Sequence, residues 1–192
     1  MGRYLKTDVK EYTYDDYGNL VNLLERLFDE YTVYYKRTRL FFNIDTQNWY
    51  LNRIKLKRIN YFLNDSLTGI VNKKETIEKY EFDQKTRLLL KKISLPDERI
   101  ALETKYAYNK LGNILKVSQR DLATLETREK SSIYDQNGNY IVATFNELMH
   151  KITIFYDEYE NLLETTDPNG CKTIYKYDDT GKPFCFKAWF KS

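Results

Sequence analysis

The stretch Tyr106-Ala107-Tyr108-Asn109-Lys110-Leu111-Gly112-Asn113 reads as the end of a strand followed by a tight turn. Tyr106 and Tyr108 stand at i and i+2, so both rings leave the same face of a pleated strand. The Asn109 side chain can accept from backbone amides two residues on, and Gly112 with Asn113 supplies the left-handed conformation that closes the turn. The phrase recurs as Tyr12-Thr13-Tyr14-Asp15-Asp16-Tyr17-Gly18-Asn19, as Tyr80-Glu81-Phe82-Asp83, and as Tyr134-Asp135-Gln136-Asn137-Gly138-Asn139. It returns again as Tyr156-Asp157 and as Tyr175-Lys176-Tyr177-Asp178-Asp179-Thr180-Gly181. A phrase repeated at near-fixed spacing marks a repeat architecture. The aromatic before the Asp or Asn falls at 82, 108, 134, 156 and 177, in steps of 26, 26, 22 and 21 residues. From Tyr14 to Phe82 the step is 68 residues, so the phrase has decayed there or an insertion interrupts it.

The composition agrees with strands. Tyr occurs 18 times and Phe 10, against seven Gly and three Pro, and flat rings pack well on a pleated surface. Gly18, Gly112, Gly138, Gly170 and Gly181 all fall in the phrase or in the related Asp167-Pro168-Asn169-Gly170 turn, so glycine serves here as turn punctuation. At 192 residues the chain is long enough for one domain with a sizeable core. Thirty-one basic and 28 acidic residues nearly cancel to +3, a balance that predicts no nucleic-acid partner. Cys171 and Cys185, without a further ligand cluster, indicate neither a zinc site nor a disulfide framework; a single disulfide between them stays open. The sequence has no apolar run long enough to span a bilayer and no charged-then-apolar leader. A piece of a longer exported protein would read the same way, so the compartment stays open.

Period-two alternation supports strands elsewhere: Ile152, Ile154 and Tyr156 share a face, and Arg53, Lys55 and Lys57 oppose Ile54 and Leu56. That basic row fits a phosphate contact, but one such row is also the ordinary solvated face of a half-buried strand, and the latter is preferred. Leu20, Leu23, Leu24, Leu27 and Phe28 have the spacing of a short helix near 20–28. The Gly-Asn turn before them and the aromatic run Tyr31 to Phe42 after them favour strands. Ile59 to Leu63 reads as an aromatic strand, with turns at Asn64-Asp65 and Asn72-Lys73. No Pro-rich hinge or shift in composition marks a boundary, so residues 1–192 read as one continuous β region.

No catalytic constellation is legible. His150 is the single histidine and has no Cys or Glu partner at ligand spacing; there is no phosphate loop, nucleophile elbow or His-Glu-x-x-His. Asp15, Asp135, Asp157 and Asp178 recur in phase with the phrase, which suits turn-making better than a paired acid and base. The expectation is a protein that is not an enzyme and holds no cofactor or metal.

These residues resemble the Tyr-Asp repeat of the Rhs/YD-repeat family, which includes bacterial Rhs proteins, the B and C components of insecticidal toxin complexes and the repeat shell of teneurins. The best match is Tyr134 to Pro183, where Thr166-Asp167-Pro168-Asn169-Gly170, then Thr173, Tyr175, Tyr177-Asp178 and Gly181-Lys182-Pro183 are similar to the family's Thr-Asp-Pro-x-Gly, Thr, Tyr-x-Tyr-Asp, Gly-Arg/Lys run. Asn146-Glu147-Leu148-Met149-His150 resembles its Asn-x-Leu-Gly-His linker, with Met149 where Gly is usual. The Trp-containing strand expected over Trp49 to Leu56, ahead of several Tyr-Asp phrases, is similar to the toxin-complex B or SpvB-associated subgroup. The likeness is strong over 106–183 and loose over 31–105, where Arg87 stands in place of the expected Gly.

The resemblance implies a spiralling antiparallel sheet of β-hairpins that winds into a hollow shell. In full-length relatives that shell encloses a C-terminal toxin or effector polypeptide, and 192 residues would supply a strip of its wall. The implied partners are the remaining parts of such a shell, a second copy through unpaired sheet edges, and an enclosed toxin; the implied setting is a secreted bacterial toxin. Many relatives cleave themselves with aspartates near an Asp-Pro-x-Gly, but Asp167 is followed by an ordinary repeat and is read as a turn residue. The alternative is a carbohydrate- or cell-surface-binding β module, which would apply if the tyrosine rows faced outward.

Overall fold

The computed structural model describes residues 6–28, 32–65, 67–69, 71–97 and 99–189, with side chains over 9–183 of these. Tyr31, at the head of the expected aromatic run, lies outside them. The described residues form fourteen β-strands and no helix: β1 Lys6–Tyr14, β2 Leu20–Phe28, β3 Thr32–Asp45, β4 Tyr50–Asp65, β5 Val71–Phe82, β6 Leu89–Leu95 and β7 Leu102–Tyr108. These are followed by β8 Ile114–Asp121, β9 Thr127–Tyr134, β10 Ile141–Phe145, β11 Lys151–Tyr156, β12 Leu162–Thr166, β13 Lys172–Tyr177 and β14 Pro183–Trp189. They form one open sheet in which hydrogen bonding follows sequence order from β1 to β14. The all-β expectation holds, and residues 20–28 are a strand.

Backbone contacts divide the chain into two units, residues 1–104 with 120–126, and residues 105–119 with 127–192. In the first unit β1 to β6 pair antiparallel in succession, and the longest ladder joins β3 to β4 from Thr32↔Asp65 to Asp45↔Tyr50. Rows of side chains cross this unit. Val9, Arg26, Tyr35, Phe62 and Lys73 stand opposite one another in turn, with Arg26 5.9 Å from the Tyr35 ring centre, Tyr35 6.0 Å from Phe62, and Lys73 5.6 Å from Phe62. Charge and ring thus alternate across the strands, an arrangement that lets long side chains cover apolar surface while their heads stay wet. In the second unit β9 to β14 pair antiparallel in succession through short ladders such as Glu164↔Ile174 to Thr166↔Lys172.

Three local expectations change. Asn72-Lys73 lies inside β5, and Trp49 belongs to the turn before β4, with a φ of 57°. The long interval between Tyr14 and Phe82 contains a decayed copy of the phrase: Phe42-Asn43-Ile44-Asp45 ends β3, with Ile44 where the aromatic would be. The interval is long because β3 and β4 have 14 and 16 residues.

The expected core is the largest departure. Among the described residues Ala143, at 3% exposure, is the one buried hydrophobic side chain. Most other described side chains within the strands sit at intermediate burial or are exposed.

Candidate functional site

The phrase builds two kinds of joint, one at the turns and one between strands. Every described connection has an Asp or Asn at or next to its start. The acceptors are Asp15, Asp45, Asp65, Asp83, Asp97, Asn109, Asp121, Asp135, Asn146, Asp157, Asp167 and Asp178. In most of them the Oδ1 atom accepts from the amide two residues on, as Leu111 N donates to Asn109 at 2.9 Å. The main chain then closes the turn, as Gly112 N donates to the Asn109 carbonyl at 3.1 Å. These bonds favour the charged carboxylates. Asp135 is held below the usual carboxylate range chiefly by the Tyr140 amide, Asp83 by the Thr86 amide, Asp15 by the Asn19 side chain and Asp178 by the Thr180 hydroxyl.

Asp167 belongs to this series. Its Oδ1 accepts from Asn169 N at 2.9 Å and Cys171 N at 2.7 Å, with Pro168 and Gly170 completing the turn. The glycines of the phrase all take positive φ: Gly18 80°, Gly112 89°, Gly138 75°, Gly170 81° and Gly181 77°. Met149 and Glu160 hold the same position, three residues after the Asn or Asp, at φ 61° and 70°, and Arg87 and Leu125 are left-handed one residue later, at 69° and 63°. Sequence reading missed the turns at Asp45, Asp97 and Asp121. Their signal was an Asp at the end of an alternating run, without the aromatic before it or the glycine after it.

Because each hairpin reverses direction, successive copies of the phrase lie on every second strand: Tyr80-Phe82 on β5, Tyr106-Tyr108 on β7, Tyr134 on β9, Tyr156 on β11 and Tyr175-Tyr177 on β13. The phrase tyrosines therefore do not meet on adjacent strands. Instead the hydroxyl bridges them. Tyr134 donates to the Ile114 carbonyl at 3.3 Å, Tyr156 to Ile141 at 3.3 Å, and Tyr177 to Leu162 at 2.9 Å. In all three the acceptor is the first residue of the preceding strand, β8, β10 or β12. We call this joint the tyrosine clasp. It accounts for tyrosine at the last strand position, since phenylalanine has no hydroxyl to donate.

Tyr12 and Tyr14 carry the phrase on β1, the first of the described strands, and they are 51% and 59% exposed. Two turn asparagines also reach beyond their own hairpins. Asn19 donates from its side chain to the Leu51 carbonyl at 2.6 Å, and Asn113 likewise to the Gly138 carbonyl.

One charged centre stands out in the first unit. The Glu78 carboxylate lies 3.2 Å from Lys57 Nζ and 2.5 Å from Lys92 Nζ, and accepts from the Tyr80 hydroxyl at 2.9 Å. Partial burial is the largest influence and pushes its pKa up, but the donors from Lys92, Tyr80 and Lys57 together outweigh it and hold the value at about 2. Two members of the basic row of β4 are engaged from within: Lys57 pairs with Glu78, and Arg53 stacks 4.2 Å from the Tyr50 ring centre and 5.8 Å from Phe82.

In the second unit a groove of about 610 Å³ lies over β9 to β11 and includes Ile133 and Phe155, which are 48% and 54% exposed. His150 sits in the turn opened by Asn146, its amide bonded to the Asn146 side chain. Among the described residues no three His, Cys, Asp or Glu side chains form a metal-ligating group. Cys171 is a free thiol; β13 and β14 pair Lys172 with Trp189 and Lys176 with Cys185, which places the two cysteines about 16 Å apart along the ladder, beyond disulfide reach.

No family model matches the sequence, and no curated protein matches it. Among solved structures the chain is similar to a chain of the Photorhabdus luminescens Tc holotoxin pore carrying a TccC3 mutation, at 12% identity and a TM-score of 0.41 over 93% of this chain. It is similar to a chain of the TcdB2–TccC3–Cdc42 complex at the same identity and TM-score over 94%. The likeness is distant, and this chain spans 14% of the length of each.

Proposed function

We propose that this chain is a non-catalytic wall segment of an Rhs/YD-repeat shell of the toxin-complex or SpvB-like type. Its work is to extend a sheet that in longer relatives surrounds a toxin or effector polypeptide. The observation that supports this most directly is the scarcity of buried side chains along the sheet, with Ala143 the one buried hydrophobic among the described residues. A layer whose apolar side chains stay half-exposed on both faces gains too little from burial to act as a self-sufficient domain. The residues that recur are turn-makers and strand clasps, so the repeated chemistry serves construction.

Size-exclusion chromatography with light scattering tests the reading. The expected result is association with itself or with longer repeat chains; a monomer of 23.1 kDa that unfolds cooperatively would count against it. A surface-binding module is favoured by one observation, the 81% exposure of Trp49 next to Tyr50. Glycan-array binding that Trp49→Ala abolishes, in a chain that stays monomeric, would establish that second function in place of the first.

A further inference from the structure

The clasp follows a rule that runs out at one edge. A tyrosine closing an odd-numbered strand donates to the first residue of the even-numbered strand before it, in β9 to β8, β11 to β10 and β13 to β12. The register agrees. Ala143↔Thr153 and Phe145↔Lys151, continued, place Ile141 opposite Phe155, with Tyr156 one residue beyond. Glu164↔Ile174 and Thr166↔Lys172, continued, place Leu162 opposite Lys176, with Tyr177 one residue beyond. Tyr14 closes β1, an odd strand at the edge of the sheet, and its ring is 59% exposed. The other edge is β14, an even strand beginning at Pro183.

We propose that β14 of a second copy of this chain docks antiparallel on β1, with the Tyr14 hydroxyl donating to the Pro183 carbonyl of that copy. The proposal rests on the wall-segment reading above and adds the occupant, its polarity and its register. With Tyr14 one residue beyond the partner of the first strand residue, Pro183 falls opposite Thr13, Cys185 opposite Glu11, and Lys187 opposite Val9. Proline fits the clasp position because the bond needs only a carbonyl.

The two charges of β1 among the residues with described side chains are already paired. Lys10 lies 3.6 Å from Glu25 and Glu11 lies 2.9 Å from Arg26, so both are engaged by β2, whereas a guarded edge strand presents unpaired charge to an incoming chain. Main-chain hydrogen bonds along β1 would supply affinity and the clasp would set the register, as in other strand additions.

The native cysteine at 185 makes the register measurable. In the full chain carrying Cys171→Ser, Glu11→Cys is expected to give an intermolecular disulfide to Cys185 on mild oxidation, identified by mass spectrometry of the joined peptides. Val9→Cys, opposite Lys187, is expected to cross-link at least several-fold less. Tyr14→Phe is expected to weaken self-association about 3- to 10-fold by sedimentation, the span of one hydrogen bond, with Tyr17→Phe unchanged. Equal cross-linking from positions 9 and 11, a cross-link within one chain, or no cross-link in a chain that keeps its β circular dichroism overturns the proposal. Capture by a longer repeat chain with no link between positions 11 and 185 overturns it alone and leaves the wall reading standing.

Discussion

Gly138 concentrates the demands of the turn on one residue. It has a φ of 75°, and a Cβ there would run into the Leu111 side chain. Leu111 is 67% exposed and its tip can turn away, so it is the left-handed backbone that leads us to expect Gly138→Val to destabilise the chain by more than about 1 kcal/mol in denaturant unfolding. The converse applies at Leu125, which holds the same conformation at 63° with its side chain 59% exposed. Leu125→Gly is expected to stabilise by about 0.5–1 kcal/mol, relieving a left-handed residue that gives little burial in return. A destabilised Leu125→Gly would mean that the side chain holds something in place. At this scale the sequence was highly legible where an Asp or Asn and a glycine occurred together. At Arg87, Leu125, Met149 and Glu160 the Asp or Asn keeps the turn without help from glycine, and reading glycine as the marker left the Leu125 turn unseen.

A strand here is stabilised by what crosses it, and Glu78 on β5 shows how. It is held by Lys57 on β4, by Lys92 on β6 and by Tyr80 two residues along its own strand. Its folded pKa of about 2 lies below the ordinary 4.5, so its stabilising contribution is fully present above about pH 4.5 and is lost as the pH falls toward 2. In Glu78→Gln the urea midpoint between pH 4.5 and 2 is expected to fall less steeply than in the parent; parallel curves would show that the carboxylate does not titrate with folding. Strand existence was legible from alternation, and the helical spacing of Leu20 to Phe28 was outweighed correctly by its flanking turns. The clasp was not legible, because a hydroxyl reaching an adjacent strand has no period of its own: the phrase shows that tyrosine recurs but not what its oxygen meets.

At the scale of the whole chain, the scarcity of buried side chains among the described residues was the least legible property. Length and hydrophobic content suggest a core, yet neither reports whether a second layer exists to make one. The period does carry information at this scale. A step of 21 or 22 residues is two strands and two turns, the unit after which chain direction, side-chain face and clasp all return to phase. Deleting residues 157–177 joins Tyr156 to Asp178 and restores the phrase, so that variant is expected to keep its β circular dichroism and a cooperative transition. Deleting 167–177, a shorter cut that removes β13 alone, is expected to be the more damaging of the two. The reverse ranking would show that the clasp does not govern how strands are added.

The strict succession of β1 to β14, each strand bonded to its sequence neighbours, has a consequence for inheritance. A wall of this kind can be lengthened or shortened by duplication and loss at any point along it, but only in even steps. Single-strand changes leave a tyrosine facing the wrong edge, so the gene is expected to change by whole hairpin pairs, much as a zip is cut between teeth.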